Sequence, residues 1–464
     1  MWNVGRIFLT VPLVVWFFGC EDTDFFLILR RIYPSVMVTL PCIIVSVLLF
    51  AGAAPAMPPP DKAEVVIPDA TSFIRPDYQP LANILSISDA SVPTSGNSFT
   101  VINMGPDFGK LLYKDFSEAK RLIEMELFLF GNDKDGYEAR DLLLSKVQEG
   151  VEVRYVHDDF GNFFDSIFDG RKVFTGFYDQ MSRGGMNVRH YSPLYNLDRS
   201  YVAAGRRQHR KIIIVDEAIA YTGGMNITEG SISGWNDCML RITGPAVSCL
   251  RSEWTRIWNP MVSGNKGDVL MDVRASGDPS AEGKIMQVVP DGADVPAHMA
   301  EEAFIWTLDN AREYVWFQTP YFIPNRPLLK ALKRAAERGV DVRVIIPLEG
   351  DLPAFEPVMR SYFKTCVESG VKLYLRNPPF VHSKTFVCDD YLVCIGSTNL
   401  DKLSLKRNYE VNVYIYDEST AHDLKNVCED YCADSVFVTP ELFETWTGAE
   451  KFNQKIQRLF SPWL

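Results

Sequence analysis

The sequence predicts an α/β protein with two pseudo-symmetric halves behind an N-terminal membrane segment. Three observations carry that reading. A helix–strand alternation runs through the body twice, a His-Lys-Asp motif occurs once per half, and a long apolar run lies near the start. The corresponding division is 1–60 as membrane anchor region, 61–100 as linker, 101–270 as first lobe and 271–464 as second lobe. With 464 residues, 47% of them hydrophobic, the chain can bury two sizeable cores. Its net charge of −12 speaks against nucleic acid as the main partner, because binding to a phosphate backbone needs an excess of Lys and Arg. A local basic site remains compatible with that balance.

The membrane segment rests on Val36–Ala56, an apolar run of 21 residues without a charge. As a helix it is long enough to cross a hydrocarbon core of about 30 Å. Arg30-Arg31 precedes it, and Pro58-Pro59-Pro60-Asp61 ends it. A shorter stretch, Ile7–Gly19, runs into Glu21-Asp22-Thr23-Asp24 and is short for a full span. A cleaved signal peptide is the alternative, with Ala54-Pro55-Ala56 as its small-residue cleavage site. Lipidation at Cys20 is a third reading, poorly served by Phe17 and Phe18. The topology is open: Arg30-Arg31 on the cytoplasmic side would put the body outside. The thiols pull the other way. Of nine cysteines, all but Cys20 and Cys42 lie in the body, an odd number that reads as free thiols in a reducing compartment. Cys428 and Cys432 share a helix face but have no zinc-spaced partner, so no structural zinc is expected.

The duplication is explicit in the body. A helix from Asp115, a strand Leu127–Phe130 and a helix Glu138–Gln148 lead into Gly150-Val151-Glu152-Val153-Arg154-Tyr155-Val156. A helix from Ala303, a strand Tyr314–Phe317 and a helix Leu328–Arg338 lead into Gly339-Val340-Asp341-Val342-Arg343-Val344-Ile345. In each, glycine closes the helix and a β-branched strand follows.

The chemical motif holds the same register. His209-Arg210-Lys211 to Asp216 and His382-Ser383-Lys384 to Asp389 both read H-x-K-x4-D. Asn226 and Asn399 follow their histidines by 17 residues, just past Gly223-Gly224 and Gly396-Ser397. Asp237 and Glu410 follow by 28. A lone histidine before an apolar strand is usually a satisfied core residue, but two copies in register through 28 residues are not two accidents.

Residues two apart on a strand share a face, so His209 projects with Lys211 and His382 with Lys384. The apolar run after each lysine reads as a buried strand. Asp216 and Asp389, completing the catalytic motifs, have the opposite parity and fall where a turn begins, which suits fold support rather than proton transfer. Asn226 and Asn399 suit hydrogen bonds to phosphate oxygens. Asp237 and Glu410 suit the far ring nitrogen of a histidine, fixing its tautomer. The set fits displacement at a phosphodiester: one neutral imidazole attacks phosphorus, and the other, protonated, protonates the leaving alkoxide. Lysines and asparagines offset the charge on the non-bridging oxygens, so neither metal nor other cofactor is called for.

At these residues the sequence resembles the phospholipase D superfamily, from about Val101 to Leu464, and within it bacterial cardiolipin synthases. Beyond the paired motifs, the matching pieces are Ala220–Ile227, Thr319–Pro324, Asn408-Tyr409-Glu410 and Arg458–Leu464. The resemblance implies two α/β lobes, each a mixed β-sheet flanked by helices, facing one another across a pseudo-twofold axis with the site between them. It implies transfer between two phosphatidylglycerol molecules at a bacterial inner membrane, giving cardiolipin and glycerol. His209 is assigned as nucleophile and His382 as general acid, then base, an order that can be reversed. Hydrolysis of phospholipid, or of nucleic acid, is the alternative within the fold. A non-catalytic lipid-binding scaffold is the alternative outside it, opposed by the intact motifs. Phosphatidylglycerol and membrane lipid are the expected partners, and the oligomeric state is left open.

Other residues get plainer readings. His157, His190, His298 and His422 lack partners at a recurring offset and read as surface or structural. Asp158-Asp159-Phe160 reads as a loop after a strand. Arg206-Arg207 reads either as a headgroup attractor or as a solvated cluster. Glu450–Leu464 reads either as an interfacial helix or as packing on the second lobe.

Overall fold

Duplication in the sequence becomes one strand order used twice. The computed structural model describes residues 62–458, apart from 162–175, 192–205, 262–269 and several positions within 277–296 and at 353–354. The expected N-terminal membrane segments and residues 459–464 lie outside the described residues. Among the described residues no helix is long and apolar enough to cross a membrane.

The strands up to the middle of the chain are β1 (Lys62–Ile67), β2 (Thr94–Met104), β3 (Leu122–Leu127), β4 (Glu152–Asp158), β5 (Asn187–Tyr191), β6 (Ile212–Val215), β7 (Ile219–Gly223) and β8 (Asn236–Thr243). Those that follow are β9 (Leu270–Ala275), β10 (Lys284–Asp291), β11 (Tyr314–Gln318), β12 (Asp341–Pro347), β13 (Lys372–Arg376), β14 (Thr385–Cys388), β15 (Leu392–Gly396), β16 (Glu410–Tyr416) and β17 (Ser435–Phe437). Across the sheet, β5-β4-β3-β6-β7-β8-β2 is repeated as β13-β12-β11-β14-β15-β16-β10. β2 and β10 pair antiparallel at the centre and join the halves into one 15-stranded sheet. Each half is mixed: β3, β4 and β5 run parallel, whereas β6, β7 and β8 are antiparallel neighbours.

The motif strands are buried on both faces, as continuous apolar runs should be. Ile212 and Ile214 enter a core shared by the two halves, with Val387, Val411 and Trp254. Ile213 and Val215 point the other way, into the first half's own core around Phe108 and Leu112. Phe386 and Cys388 do the same in the second half, with Phe317. The expected helix-closing glycines are Gly150 and Gly339, with φ of +92° and +91° at the ends of helices Lys134–Gln148 and Arg326–Glu337. That left-handed backbone costs a residue with a Cβ more than it costs glycine.

Three expectations need correction. The strand placed at Leu127–Phe130 is β3, five residues earlier. Its Glu124 and Glu126 mask the pattern, and Glu124 is buried only because Arg154 and Arg251 pair with it. The helix expected from Asp115 spans Gly105–Glu118. The 61–100 linker is largely structured: β1 pairs in parallel with β9, the helix Gln79–Leu85 packs in the second core, and β2 opens the central sheet. Short elements rich in Pro, Ser and Asp carry no periodic signature. All seven cysteines in the described body are free, and six are buried.

Candidate active site

Backbone pairing between the halves positions the site. His209 donates its amide to the Tyr409 carbonyl (3.0 Å), while the Tyr409 amide donates to Arg207 (2.8 Å). The second half mirrors this: His382 donates to Asn236 (2.7 Å), and Asn236 donates to Phe380 (2.8 Å). Each motif histidine is thus tied to the residue just before the opposite half's acid. The side chains follow. His209 Nδ1 lies 3.0 and 2.9 Å from the two Glu410 carboxylate oxygens, and His382 Nδ1 lies 2.6 Å from Asp237 Oδ2. The acid of each half serves the histidine of the other.

With Nδ1 donating to a carboxylate, Nε2 of the neutral ring carries the lone pair. Lys384 Nζ is also 2.9 Å from His382 Nδ1, but that atom cannot donate to Asp237 and accept at once. The lysine's acceptor is therefore the His382 carbonyl, as the His209 carbonyl is for Lys211 (2.6 Å).

The site is buried and charged. Burial, then Lys384, pushes His382 down to about 4, against the opposing pull of Asp237. His209 is lowered too, by burial first, with Glu410 opposing and the lysines assisting. Burial is the main reason Lys211 falls to about 7 and Lys384 to about 8, and each lysine feels both Asp237 and Glu410. Burial pulls Glu410 upward, but His209, Lys211 and Ser397 outweigh it and leave the carboxyl below its ordinary value. His209 feels Lys384 and His382 feels Lys211, so the two half-sites form one electrostatic unit. Two buried amines with depressed pKa values are poised to hold their protons once an anion arrives.

Other predicted residues take distinct places. Asn226 is buried and its Oδ1 accepts from the Leu129 amide (3.2 Å). Asn399 is buried beside Leu400, whose backbone pairs with Phe322 and Ile323 of the Thr319–Pro324 loop. Asp216 and Asp389 are not with the histidines. Asp216 accepts from the amides of Lys120, Arg121 and Leu122 (2.7–2.9 Å), and Asp389 from those of Arg312, Glu313 and Tyr314 (2.8–2.9 Å). Both sit at positive φ in the β6–β7 and β14–β15 hairpin turns, a conformation aspartate tolerates. They brace the start of β3 and β11.

Two aromatic rings at the site carry no sequence signal, and three residues with other readings join them. The Phe128 ring meets His209 edge-on (centroids 5.0 Å), and Trp235 lies tilted against His382 (4.9 Å). Ser397 Oγ donates to Glu410 (2.5 Å). Arg207 is buried over Phe160 near Asp158, not solvated, and Asp158 accepts the Gln208 amide (2.9 Å) beside His209.

The sequence family described as "Cardiolipin synthase, PLD-like domain" matches residues 112–258 and 304–431, one stretch in each lobe. The chain belongs to this family. Among relatives of this PLD-like family, the chain is 30% identical to the cardiolipin synthase of Listeria monocytogenes serotype 4b over 398 residues, 83% of this chain and 79% of that protein. It is 28% identical to the cardiolipin synthase of Oceanobacillus iheyensis over 402 residues, 84% and 81% of the two chains. Among solved structures, the phosphatidylserine synthase of Haemophilus influenzae Rd KW20 aligns with a TM-score of 0.59 at 15% identity. The alignment covers 85% of this chain and all of that one, and it shows the shared two-lobed fold.

Proposed function

We infer that the protein is a cardiolipin synthase, a phosphatidyltransferase that joins two phosphatidylglycerol molecules and releases glycerol. The observation that carries the reading is the pair of histidines, each held through Nδ1 by the other lobe's acid, with Lys211 and Lys384 buried beside them. Family membership and the named relatives select lipid among the phosphodiesters that such a site can cleave.

His209 Nε2 attacks the donor phosphorus, and the bond to the headgroup glycerol oxygen breaks. His382, protonated once the phosphate charge is present, gives its proton to that oxygen and glycerol leaves. The second phosphatidylglycerol then offers its headgroup hydroxyl. His382 takes the proton, the oxygen displaces His209 from phosphorus, and cardiolipin forms. Lys211, Lys384, Asn226 and Asn399 hold the non-bridging oxygens throughout. Val36–Ala56 is read as the anchor that keeps this site at a bilayer.

Expression in a cardiolipin-deficient bacterial host, followed by lipid analysis, tests the reaction. Cardiolipin and glycerol are expected; phosphatidic acid alone would replace the transferase with a hydrolase. Protein reacted with labelled phosphatidylglycerol and quenched in detergent at mildly alkaline pH, where a phosphohistidine survives, should carry phosphatidyl label on His209, and label mapped to His382 would reverse the two roles.

A further inference from the structure

We propose that His157, Asp159 and His190 form a binding site for a divalent transition metal of the zinc class, at the ends of β4 and β5. The proposal goes beyond phosphatidyl transfer and does not depend on it.

The three ligand atoms are already gathered. His157 Nε2 lies 3.0 Å and His190 Nδ1 2.8 Å from the same Asp159 Oδ1, and all three atoms fall within 4.8 Å of one another. On a tetrahedral zinc with bonds of about 2.0–2.1 Å, ligand atoms stand roughly 3.4 Å apart. Opening the two Asp159 contacts by a few tenths of an ångström brings them to that spacing, with the two imidazole nitrogens within 4.8 Å of each other. Two imidazoles and a carboxylate suit a borderline cation of this class better than magnesium or calcium, which favour oxygen donors. The backbone presets the set: β4 and β5 are parallel with His157 opposite His190, and Asp159 lies two residues past His157.

The second lobe provides an internal control. β12 and β13 place Ile346 opposite Leu375, the positions equivalent to His157 and His190, and Leu348 stands where Asp159 does. Ile346 and Leu375 are buried in the second lobe's core. Packing alone is thus satisfied at this place by aliphatic side chains. The first lobe has ligands at all three.

The ion would act as a brace. Asp158, between two of the ligands, accepts the Gln208 amide (2.9 Å) and lies 3.5 Å from Arg207, just before His209. Coordination at 157 and 159 fixes this strand end and so the segment that carries His209. His157, Asp159 and His190 are positioning residues in this sense.

The test is a titration of the metal-free, full-length protein with Co2+. The wild type is expected to develop tetrahedral visible bands that saturate at one equivalent and vanish on adding Zn2+. His190→Leu and Asp159→Asn are expected to lose that equivalent. His190→Cys is expected to keep it and to add a thiolate-to-cobalt charge-transfer band in the near ultraviolet. No saturable cobalt spectrum in the wild type would overturn the proposal. So would full retention of the wild-type spectrum in His190→Leu or Asp159→Asn, or a cobalt complex of His190→Cys without a thiolate band.

Discussion

The two half-sites share histidine, lysine, asparagine and the backbone exchange between lobes, yet they hold their rings with different acids. His209 meets the longer Glu410, whose second oxygen is fixed by Ser397. His382 meets the shorter Asp237, and the position equivalent to Ser397 is Gly224. A Cβ at Gly224 would come within 2.1 Å of Asp237 Oδ1, so glycine there is what lets aspartate reach across. Acid length and turn residue are matched within each lobe, although the acid serves the other lobe. The first half is also braced where the second is not. Arg210 is fully buried and donates to the Glu410 and Asp291 carbonyls (3.1 and 3.2 Å), whereas Ser383 stands at its equivalent.

The matching can be broken unequally. Gly224→Ser should displace Asp237 from His382 and lower kcat by roughly 10²–10⁴-fold, the range for losing positioned acid–base catalysis. Ser397→Gly removes one hydrogen bond to Glu410 but leaves its contact with His209. Its loss should be about tenfold, as for roughly 1.4 kcal/mol of transition-state stabilisation. Steady-state kinetics on both variants checks this, and equal losses would undo the claim that each acid is matched to its turn residue.

The lysines sharpen the comparison through pH. Both amines are depressed from 10.5, to about 7 for Lys211 and about 8 for Lys384, so in the empty site they lose charge as pH rises through that window. kcat/KM should therefore fall above about pH 7. Binding of inorganic phosphate near pH 8 should take up protons, measured by calorimetry in buffers of different ionisation enthalpy. The linkage sign for folding is opposite: the unfolded lysines bind more protons between about pH 7 and 10.5, so this contribution makes the ligand-free protein more stable as pH rises there.

The smallest effect on turnover belongs to the motif aspartates. Asp216→Ala removes an acceptor of three backbone amides at a turn, and should cost about 1–3 kcal/mol of stability. In the folded fraction kcat should stay near the wild-type value. Denaturant unfolding with active-site titration separates the two. Asp216 has a lowered pKa, burial being outweighed by those amides, so its support is present above the ordinary carboxyl value and is lost as pH falls through the lowered one.

Much of this was legible in the sequence because duplication turns spacing into evidence of design. The offsets of 17 and 28 residues single out both asparagines and both acids, of which the acids meet the histidine rings, and strand parity separates Asp216 and Asp389 from the histidines. The crossing was not legible, because equal offsets in two copies fit pairing within a lobe as well as between lobes. It depends on the backbone exchange of Tyr409 with Arg207 and His209, and of Asn236 with Phe380 and His382. β3 is hard to place from the sequence because its buried glutamates look like surface residues until Arg154 and Arg251, from distant elements, neutralise Glu124. β1 and β2 read as linker in the sequence because their partners β9 and β10 lie about two hundred residues away in the chain. Phe128 and Trp235 reach the histidines only through tertiary packing.

Histidine-selective 15N NMR on acid variants tests the crossing most directly. Asp237→Asn should change the tautomer and pKa of His382 while the His209 signals stay in place, and Glu410→Gln should do the reverse. If instead Asp237→Asn shifts His209 and Glu410→Gln shifts His382, each acid serves its own lobe and there is no crossing.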